Sequence, residues 1–589
     1  MRGPNSLIER RRRSPVFLIS NHVRPAPSQR AAIEDGPSKA ARLPRTLEVL
    51  LGIVVLVELI LPFFLRTTGV DGSELLLLVG QYSRLVAKGA LLPRWVPSGF
   101  YGFGSPTFYF YPPIAFYLAA LVRVLTGIAN PAVLFHATSF LATIGSFLSA
   151  RFLLKSLGSK NYQKNIGALL YTFAPYRLAE LYSRSSITCH VAYAFLPLVW
   201  LGAVEIVRGG SIGRWKATVL LGVSSALIAL TNIPLMLITA GTLALAAIVC
   251  WRAITWESIR MGMAALLIAA GLSAFHLFSI LAVKPQTQLR AVRGVPEYLV
   301  NDLLHFGNFT TAYHEALIYL VVILAAMAYW KSKKNGEDLT QSEHTVITLG
   351  LAFTAFMLFL ETPFLSWTVW DHLLILELTV GAERYYIQLL LFGAVFVGIA
   401  RSAPMLKAAR KITWVWVVGA ILPAFLLLFN LHIFPHSQAE PHDPAEYLPR
   451  YTVNEAHLYL IRDHERDPLV LAALHEGDHL TLLHRSPSLE VFDATILRPV
   501  TATFHRFYWP EWHLFAGSTI IPSRPDSLGR VQAQLPAGHY QLAWKLEPTP
   551  MERGGNWISL ITIFSLVAAA GMSRVRTRQT NRSGKERIL

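Results

Sequence analysis

The sequence predicts a mainly α-helical, polytopic membrane protein with about twelve spanning helices and one β-rich, water-facing domain near its C-terminus. Three observations predict this. Only 15% of the 589 residues are charged and the mean hydropathy is +0.42, whereas a soluble domain carries about 25% charge. Apolar runs recur along most of the chain, separated by short basic stretches. Near the end, Tyr540, Leu542, Trp544 and Leu546 alternate with Gln541, Ala543 and Lys545, which is strand period.

Residues 1–45 are polar, rich in arginine and interrupted by proline, and are expected to form a disordered cytoplasmic tail. The first apolar run, 46–65, has no small-residue cleavage site and reads as an uncleaved signal anchor. Further spans are expected at 131–153, 164–179, 187–207, 216–232, 233–251, 259–282, 313–330, 345–361, 385–401, 413–431 and 556–573. The membrane domain thus covers 46–431, with a last helix at 556–573 and a second basic cytoplasmic tail at 574–589.

Orientation follows from where the cations lie, because short cytoplasmic loops are enriched in Lys and Arg. Both tails are basic, and the connections 152–164, 208–215, 252–258, 331–344 and 402–412, most of which cluster Lys or Arg, look cytoplasmic. These all fall on one side only if the apolar segment 111–127 does not cross, so it is expected to be a juxtamembrane or re-entrant helix on the outer side. The outer face then collects 66–130, 180–186, 283–312, 362–384 and 432–555. The last is long enough to fold by itself and is expected to be a small β-sandwich. Pro536-Ala537-Gly538 marks a turn before its final strand.

The net charge of +17 does not suggest nucleic-acid binding, because the basic residues flank apolar runs instead of forming a face interleaved with aromatics. The partner that composition implies is the lipid bilayer. Cys189 and Cys250 are the only cysteines and fall at opposite membrane faces, so no disulfide framework is expected.

The candidate chemistry lies on the outer side. Asp71 and Glu74 follow the first span and, three residues apart, share one face of a turn or short helix. Such a pair can act as a general base on an acceptor hydroxyl or hold a divalent cation. Arg84 and Arg94 follow, and guanidinium groups suit bidentate recognition of phosphate. The run from Gly99 to Pro113 holds Tyr101 and Tyr111 among glycines and aromatics, suited to lining a sugar site or to packing at the interface. A second outer cluster contains Glu180, Tyr182, Arg184 and Ser186. A third contains Trp370, Asp371, His372, Glu377, Glu383 and Arg384. His475-Glu476-Gly477-Asp478-His479 matches the spacing of a helical zinc motif, but Gly477 and Asp478 are poor helix-interior residues. Its flanks read as strand, turn, strand, and no zinc is expected there. Asn308-Phe309-Thr310 is a glycosylation sequon on an outer loop.

Several of these stretches form an ordered set. Asp71, then Gly89 to Trp95 (GALLPRW), Gly102 to Pro106 (GFGSP) and Phe110 to Pro113 (FYPP) resemble the first outer loop of the membrane family labelled 6-pyruvoyl-tetrahydropterin synthase-related. That family, with the YfhO-like proteins, is similar to the GT-C glycosyltransferases. Ala174 to Arg177 (APYR), Leu181 to Arg184 (LYSR) and Leu196 to Leu198 (LPL) resemble its second outer loop and next helix. Tyr508 to Trp512 (YWPEW), Ala516-Gly517 and Leu535 to Gly538 (LPAG) resemble its terminal β domain. The likeness runs from about residue 46 to 573 in matching order.

The resemblance implies a GT-C-like membrane domain and transfer of a sugar from a polyprenyl-phosphate donor to an envelope glycan or protein acceptor at the outer face. It implies that Asp71, with Glu74 beside it, serves as base or metal ligand. It makes Arg84, Arg94 and Arg184 candidates for the carrier phosphate, with Arg384 of the third cluster added on the same chemistry, and Tyr101, Tyr111 and Tyr182 candidates for sugar or acceptor. It also implies a bacterial cytoplasmic membrane, with both termini cytoplasmic. Two departures stand out: Leu75 where the family often has His, and Cys189 where it often has Glu. Two alternatives stay open, a transporter or flippase of lipid-linked material and a non-catalytic envelope assembly protein on the same scaffold.

Overall fold

A computed structural model of the chain describes residues 42–60, 72–97, 103–182, 186–209, 212–286, 309–337, 339–361, 382–428, 470–472, 477–486, 488–527 and 529–586. Among them, α1 (Arg45–Ile60) is followed by α2 (Gly72–Ala87), α3 (Thr107–Phe110), α4 (Ile114–Thr126) and α5 (Pro131–Ser156). Then come α6 (Asn161–Thr172), α7 (Pro175–Tyr182), α8 (Ile187–Ala192), α9 (Leu196–Arg208), α10 (Arg214–Ala229), α11 (Ile233–Val249) and α12 (Trp256–Val283). The bundle continues with α13 (Phe309–Lys334), α14 (Gln341–Glu361), α15 (Tyr386–Ile399) and α16 (Ala403–Leu428). After the β domain, α17 runs over Pro550–Glu586.

The chain is a multi-pass membrane protein. Six helical stretches among the described residues are long and apolar enough to cross a bilayer: Pro131–Ser156, Ile187–Arg208, Trp256–Val283, Ala316–Lys334, Gln341–Leu360 and Pro550–Met572. Shorter apolar helices include Ile114–Thr126, Ile233–Val249 and Tyr386–Ile399. Length and composition thus pick out six spans among the described residues, and the expected count of about twelve is not confirmed. Side chains such as Leu267 (70% exposed) on α12 and Phe564 (70%) on α17 face outward, an arrangement stable only against lipid. α15 is the opposite case, with every residue buried, so it runs through the middle of the bundle.

Several boundaries differ from the sequence reading. The expected span 164–179 is two helices, α6 and α7, interrupted before Pro175; proline removes a donor and restricts the residue before it. The expected span 187–207 is broken by a turn at 193–195, just before Leu196-Pro197. The last helix starts at Pro550 instead of 556 and continues to Glu586, through most of the expected tail. Residues 72–87, read as loop, form α2. Its buried positions Leu75, Leu78, Val79, Tyr82 and Leu85 recur at helical spacing, and they pack with Phe108, Phe116 of α4 and Leu134 of α5 in one core.

Helices α12 and α17 lie against each other along small residues. A β-carbon on Gly555 would meet the Ala274 carbonyl oxygen at 2.6 Å, and one on Gly271 would collide with Thr562. Ser559 Oγ donates to the Gly271 carbonyl at 2.8 Å. Close backbone approach through glycine is how helices pack where lipid supplies no hydrophobic drive.

The expected β-sandwich is present. One sheet has the order β1 (Val470–Ala472), β4 (Val500–Phe507), β8 (Arg530–Leu535), β7 (Ser523–Pro525). The other has β2 (His479–Ser486), β3 (Leu489–Ile496), β9 (Gly538–Leu546), β5 (Trp512–Ala516), β6 (Thr519–Ile521). All pairings are antiparallel. The inner faces meet where Phe504 of β4 stands edge-on to Trp544 of β9 at 5.2 Å. The period-two reading of β9 holds: Leu542 and Trp544 are buried while Gln541 and Lys545 are exposed. Domain strands span 470–546, and residues 429–469 lie outside the described residues. At the zinc-like motif, Gly477 has φ +96° and His479 opens strand β2, so the segment turns as its flanks implied. His475 and Glu476 lie outside the described residues.

Candidate functional site

The loop between α2 and α4 and the β domain share one core. Trp95 lies 5.9 Å from Trp512 and 6.4 Å from Trp509, ring centre to ring centre. Tyr109 lies 5.6 Å from Trp509, and Phe103 5.2 Å from Phe507. The Phe507 N–H donates to the Phe103 carbonyl at 2.9 Å. LPRW in the first loop and YWPEW in the β domain, far apart in the chain, thus meet. Each aromatic pair adds about 0.5–1.5 kcal/mol beyond its buried area.

The loop geometry follows from its glycines and serines. Val96 and Ser105 exchange backbone hydrogen bonds at 2.8 and 3.0 Å, closing a small hairpin. Gly104 takes φ +86°, and the face of Trp95 occupies the space a β-carbon there would need. Ser105 Oγ and Thr107 Oγ1 are 2.5 Å apart at the start of α3. That single turn of helix sends its consecutive residues Phe108 and Tyr109 to different partners. Phe108 stands edge-on to Tyr82 of α2 at 4.7 Å, and Tyr109 faces the β domain. Burial raises the pKa of the Tyr109 hydroxyl strongly, and the negative charges of Glu552 and Glu511 add to this.

Arg94, read from the sequence as a phosphate ligand, is engaged on three sides. Its Nη2 donates to the Phe275 carbonyl at 2.9 Å, and its Nη1 lies 3.4 Å from His276 Nδ1, both on α12. Its Nε lies 3.7 Å from Glu552 Oε1 of α17, with the two side chains 11% and 3% exposed. Glu552 accepts from Ser279 Oγ at 3.2 Å. It also accepts from the Thr549 N–H at 2.9 Å while its own N–H donates to Thr549 Oγ1 at 3.1 Å. That reciprocal pair is a capping box at the start of α17.

The remaining sequence-derived candidates are distributed as follows. Asp71, Tyr101 and Arg184 lie outside the described residues, as does most of the third outer cluster. Glu74 on α2 and Tyr182 on α7 lie on described helices, but their side chains fall outside the description. Helix α2 begins directly after Asp71. Arg84 is half-buried in its last turn. Tyr111, half-buried, stands edge-on to Phe116 at 6.2 Å, in the same core as α2. Arg384 is half-buried in a short turn, Ala382–Tyr385, at the start of α15. The structure therefore joins the elements carrying Arg84 and Tyr111, while the Arg94 guanidinium is held by α12 and α17. Leu75 is buried in the apolar core of α2. Cys189 accepts from Asn232 Nδ2 at 3.2 Å.

Among the described residues no group of three or more His, Cys, Asp or Glu side chains is arranged to hold a metal ion. Asp71 and the Glu74 side chain lie outside the described residues.

Sequence reasoning did not single out Arg177 or Glu552. Arg177 is fully buried on α7. Its guanidinium lies over the rings of Tyr171 and Tyr193 at 5.0 and 5.2 Å and donates to the Tyr171 carbonyl and to Ser146 Oγ at 3.3 and 2.9 Å. Its signal was a lone cation inside an apolar run, which is costly and uncommon in a membrane. The signal for Glu552 was Thr549-x-x-Glu552 ahead of an apolar run.

No family model matches the chain, and no curated protein sequence does. Solved structures give distant likenesses. The arabinofuranosyltransferase AftD from Mycobacteria aligns with TM-score 0.40 and 17% identity over 67% of this chain and 28% of that one. ArnT from Cupriavidus metallidurans bound to undecaprenyl phosphate aligns with TM-score 0.35 and 11% identity over 60% of each chain. The Archaeoglobus fulgidus oligosaccharyltransferase tethered with an acceptor peptide aligns with TM-score 0.36 and 13% identity over 73% of this chain and 61% of that one. The chain therefore spans little more than a quarter of AftD and about three-fifths of the other two. The family resemblance read from the motifs rests on the motifs themselves.

Proposed function

We propose that this protein is a membrane glycosyltransferase that moves a sugar from a polyprenyl-phosphate donor to an envelope glycan or protein at the outer face of a bacterial cytoplasmic membrane. The observation that carries the reading is the packing of LPRW on YWPEW through Trp95, Trp509 and Trp512. Both motifs belong to the ordered set that resembles the GT-C-like family, and their contact supports reading that set as one working unit and not as scattered matches. Helix α2, which starts directly after Asp71, joins the same unit through Tyr82 and Phe108.

In this reading the acceptor hydroxyl attacks the anomeric carbon and polyprenyl phosphate departs. Asp71, with Glu74 nearby, takes the acceptor proton. The negative charge that develops on the departing phosphate is met by guanidinium groups, for which Arg84, Arg184 and Arg384 are the candidates. Tyr101, Tyr111 and Tyr182 are candidates for the sugar and acceptor. If Asp71 and Glu74 bind a divalent cation, it would offset phosphate charge at the same place. Both termini are cytoplasmic in this proposal.

The test is to reconstitute the purified protein in liposomes with radiolabelled polyprenyl-phosphate sugars and envelope extract. Labelled acceptor and free polyprenyl phosphate should appear together. If donor is merely moved between leaflets, without cleavage, the transport alternative is favoured, a reading to which the buried cation Arg177 lends its support.

A further inference from the structure

We propose that Arg94 is a positioning residue: it clamps the first outer loop to the top of the last helix, and so holds the β domain in register with α2. The kinetic part of this proposal rests on the glycosyltransferase reading; the structural part does not.

Among the described residues, the polar contacts of the Arg94 guanidinium go to α12 and α17. It donates to the Phe275 carbonyl at 2.9 Å, lies 3.4 Å from His276 Nδ1, and pairs with Glu552 at 3.7 Å. Its flat face lies over the Tyr109 ring at 5.7 Å. Glu552 is itself tied to Ser279 and to the Thr549 cap, so the pair is braced from both sides. Removing one partner of a buried, hydrogen-bonded ion pair leaves the other charge uncompensated.

The next residue, Trp95, points into the β domain. Adjacent residues thus reach two different bodies, and the same division recurs at Phe108 and Tyr109. Two such pairs, bridged by Arg94 over Tyr109, tie α17, the β domain and α2 together. A phosphate at Arg94 would have to displace Glu552, whose side chain is 3% exposed. Arg94 thus acts on the reaction through the position of the loop and not through contact with the donor.

The experiment uses the full-length protein in nanodiscs, with Arg94→Ala, Arg94→Lys and Glu552→Gln. Hydrogen exchange is followed across residues 507–512, where the Phe507 N–H bonds to the Phe103 carbonyl. Arg94→Ala and Glu552→Gln should each speed exchange there about tenfold, and Arg94→Lys should restore part of the protection. Donor kinetics are read on the same samples: kcat should fall while KM for the lipid-linked donor stays within about twofold. Unchanged exchange in Glu552→Gln and Arg94→Ala overturns the proposal. So does a tenfold rise in donor KM at constant kcat, which would make Arg94 a phosphate ligand. If Arg94→Ala does not fold, Glu552→Gln and Arg94→Lys decide the matter. If the parent protein transfers no sugar, the glycosyltransferase reading fails and the exchange result still decides the role of Arg94.

Discussion

Gly104 lies flat against the indole of Trp95, at φ +86° and with no space for a β-carbon between them. A position with no room for a side chain therefore sits beneath the ring on which the loop between α2 and α4 meets the β domain. Gly104→Ala meets both a positive φ and the ring, at a cost of about 3 kcal/mol. The expected outcome is a lower melting temperature and faster proteolysis at the junction, with the membrane helices retaining their helical signal.

Trp95→Ala removes the ring itself. It is 2% exposed and packs against two tryptophans, and truncating a buried aromatic of this size costs about 3–5 kcal/mol. Intrinsic fluorescence should shift to the red as Trp509 and Trp512 gain water. Trp95→Phe should keep most of the stability.

Tyr109 gives the junction a pH limit. Burial raises its folded-state pKa well above the ordinary tyrosine value, with Glu552 and Glu511 adding to the effect. A group whose folded pKa is raised contributes stability that is fully present below its unfolded pKa and lost as pH rises above it. The junction should therefore weaken as pH climbs past about 10. Tyr109→Phe should remove that part of the alkaline loss, measured as the difference in melting temperature between the two proteins across pH 8 to 11 or so.

Gly271 tests the packing of the last helix. A β-carbon there collides with Thr562, so Gly271→Val should push α17 away from α12 and break the Ser559 hydrogen bond at 2.8 Å. The expected loss is about 1–3 kcal/mol from overpacking, read as a lower aggregation temperature in detergent. Gly241, which has open space around it, is the control: Gly241→Ala, inside helix α11, should not lower that temperature.

The sequence made parts of this fold legible for stated reasons. The long apolar runs of α5, α12, α13 and α17 stand out because lipid-facing residues leave no polar face to interrupt them. Strand β9 stands out because Leu542 and Trp544 face the core while Gln541 and Lys545 do not. Helix α2 was hidden by its composition: Ser73, Glu74, Gln81 and Arg84 lower the mean hydropathy, although Leu75, Leu78, Val79, Tyr82 and Leu85 carry the helical period. The ends of α6 and α9 were hidden because apolar content alone ignores Pro175 and Pro197.

The candidate site was legible as a list of motifs but not as an arrangement. Nothing in LPRW says that its arginine pairs with Glu552 while its tryptophan enters the β domain. Such long-range pairings depend on topology, and local residue pattern does not encode them. The polar character of the outer loops was visible; which of their cations are already engaged was not.

The central claim, transfer chemistry assisted by Asp71, is tested most directly by comparing the parent protein with Asp71→Asn in proteoliposomes supplied with polyprenyl-phosphate sugar and acceptor. The account predicts labelled product from the parent and a loss of about a hundredfold or more in kcat for Asp71→Asn, with the variant folded and its donor binding retained. Full transfer by folded Asp71→Asn would contradict it.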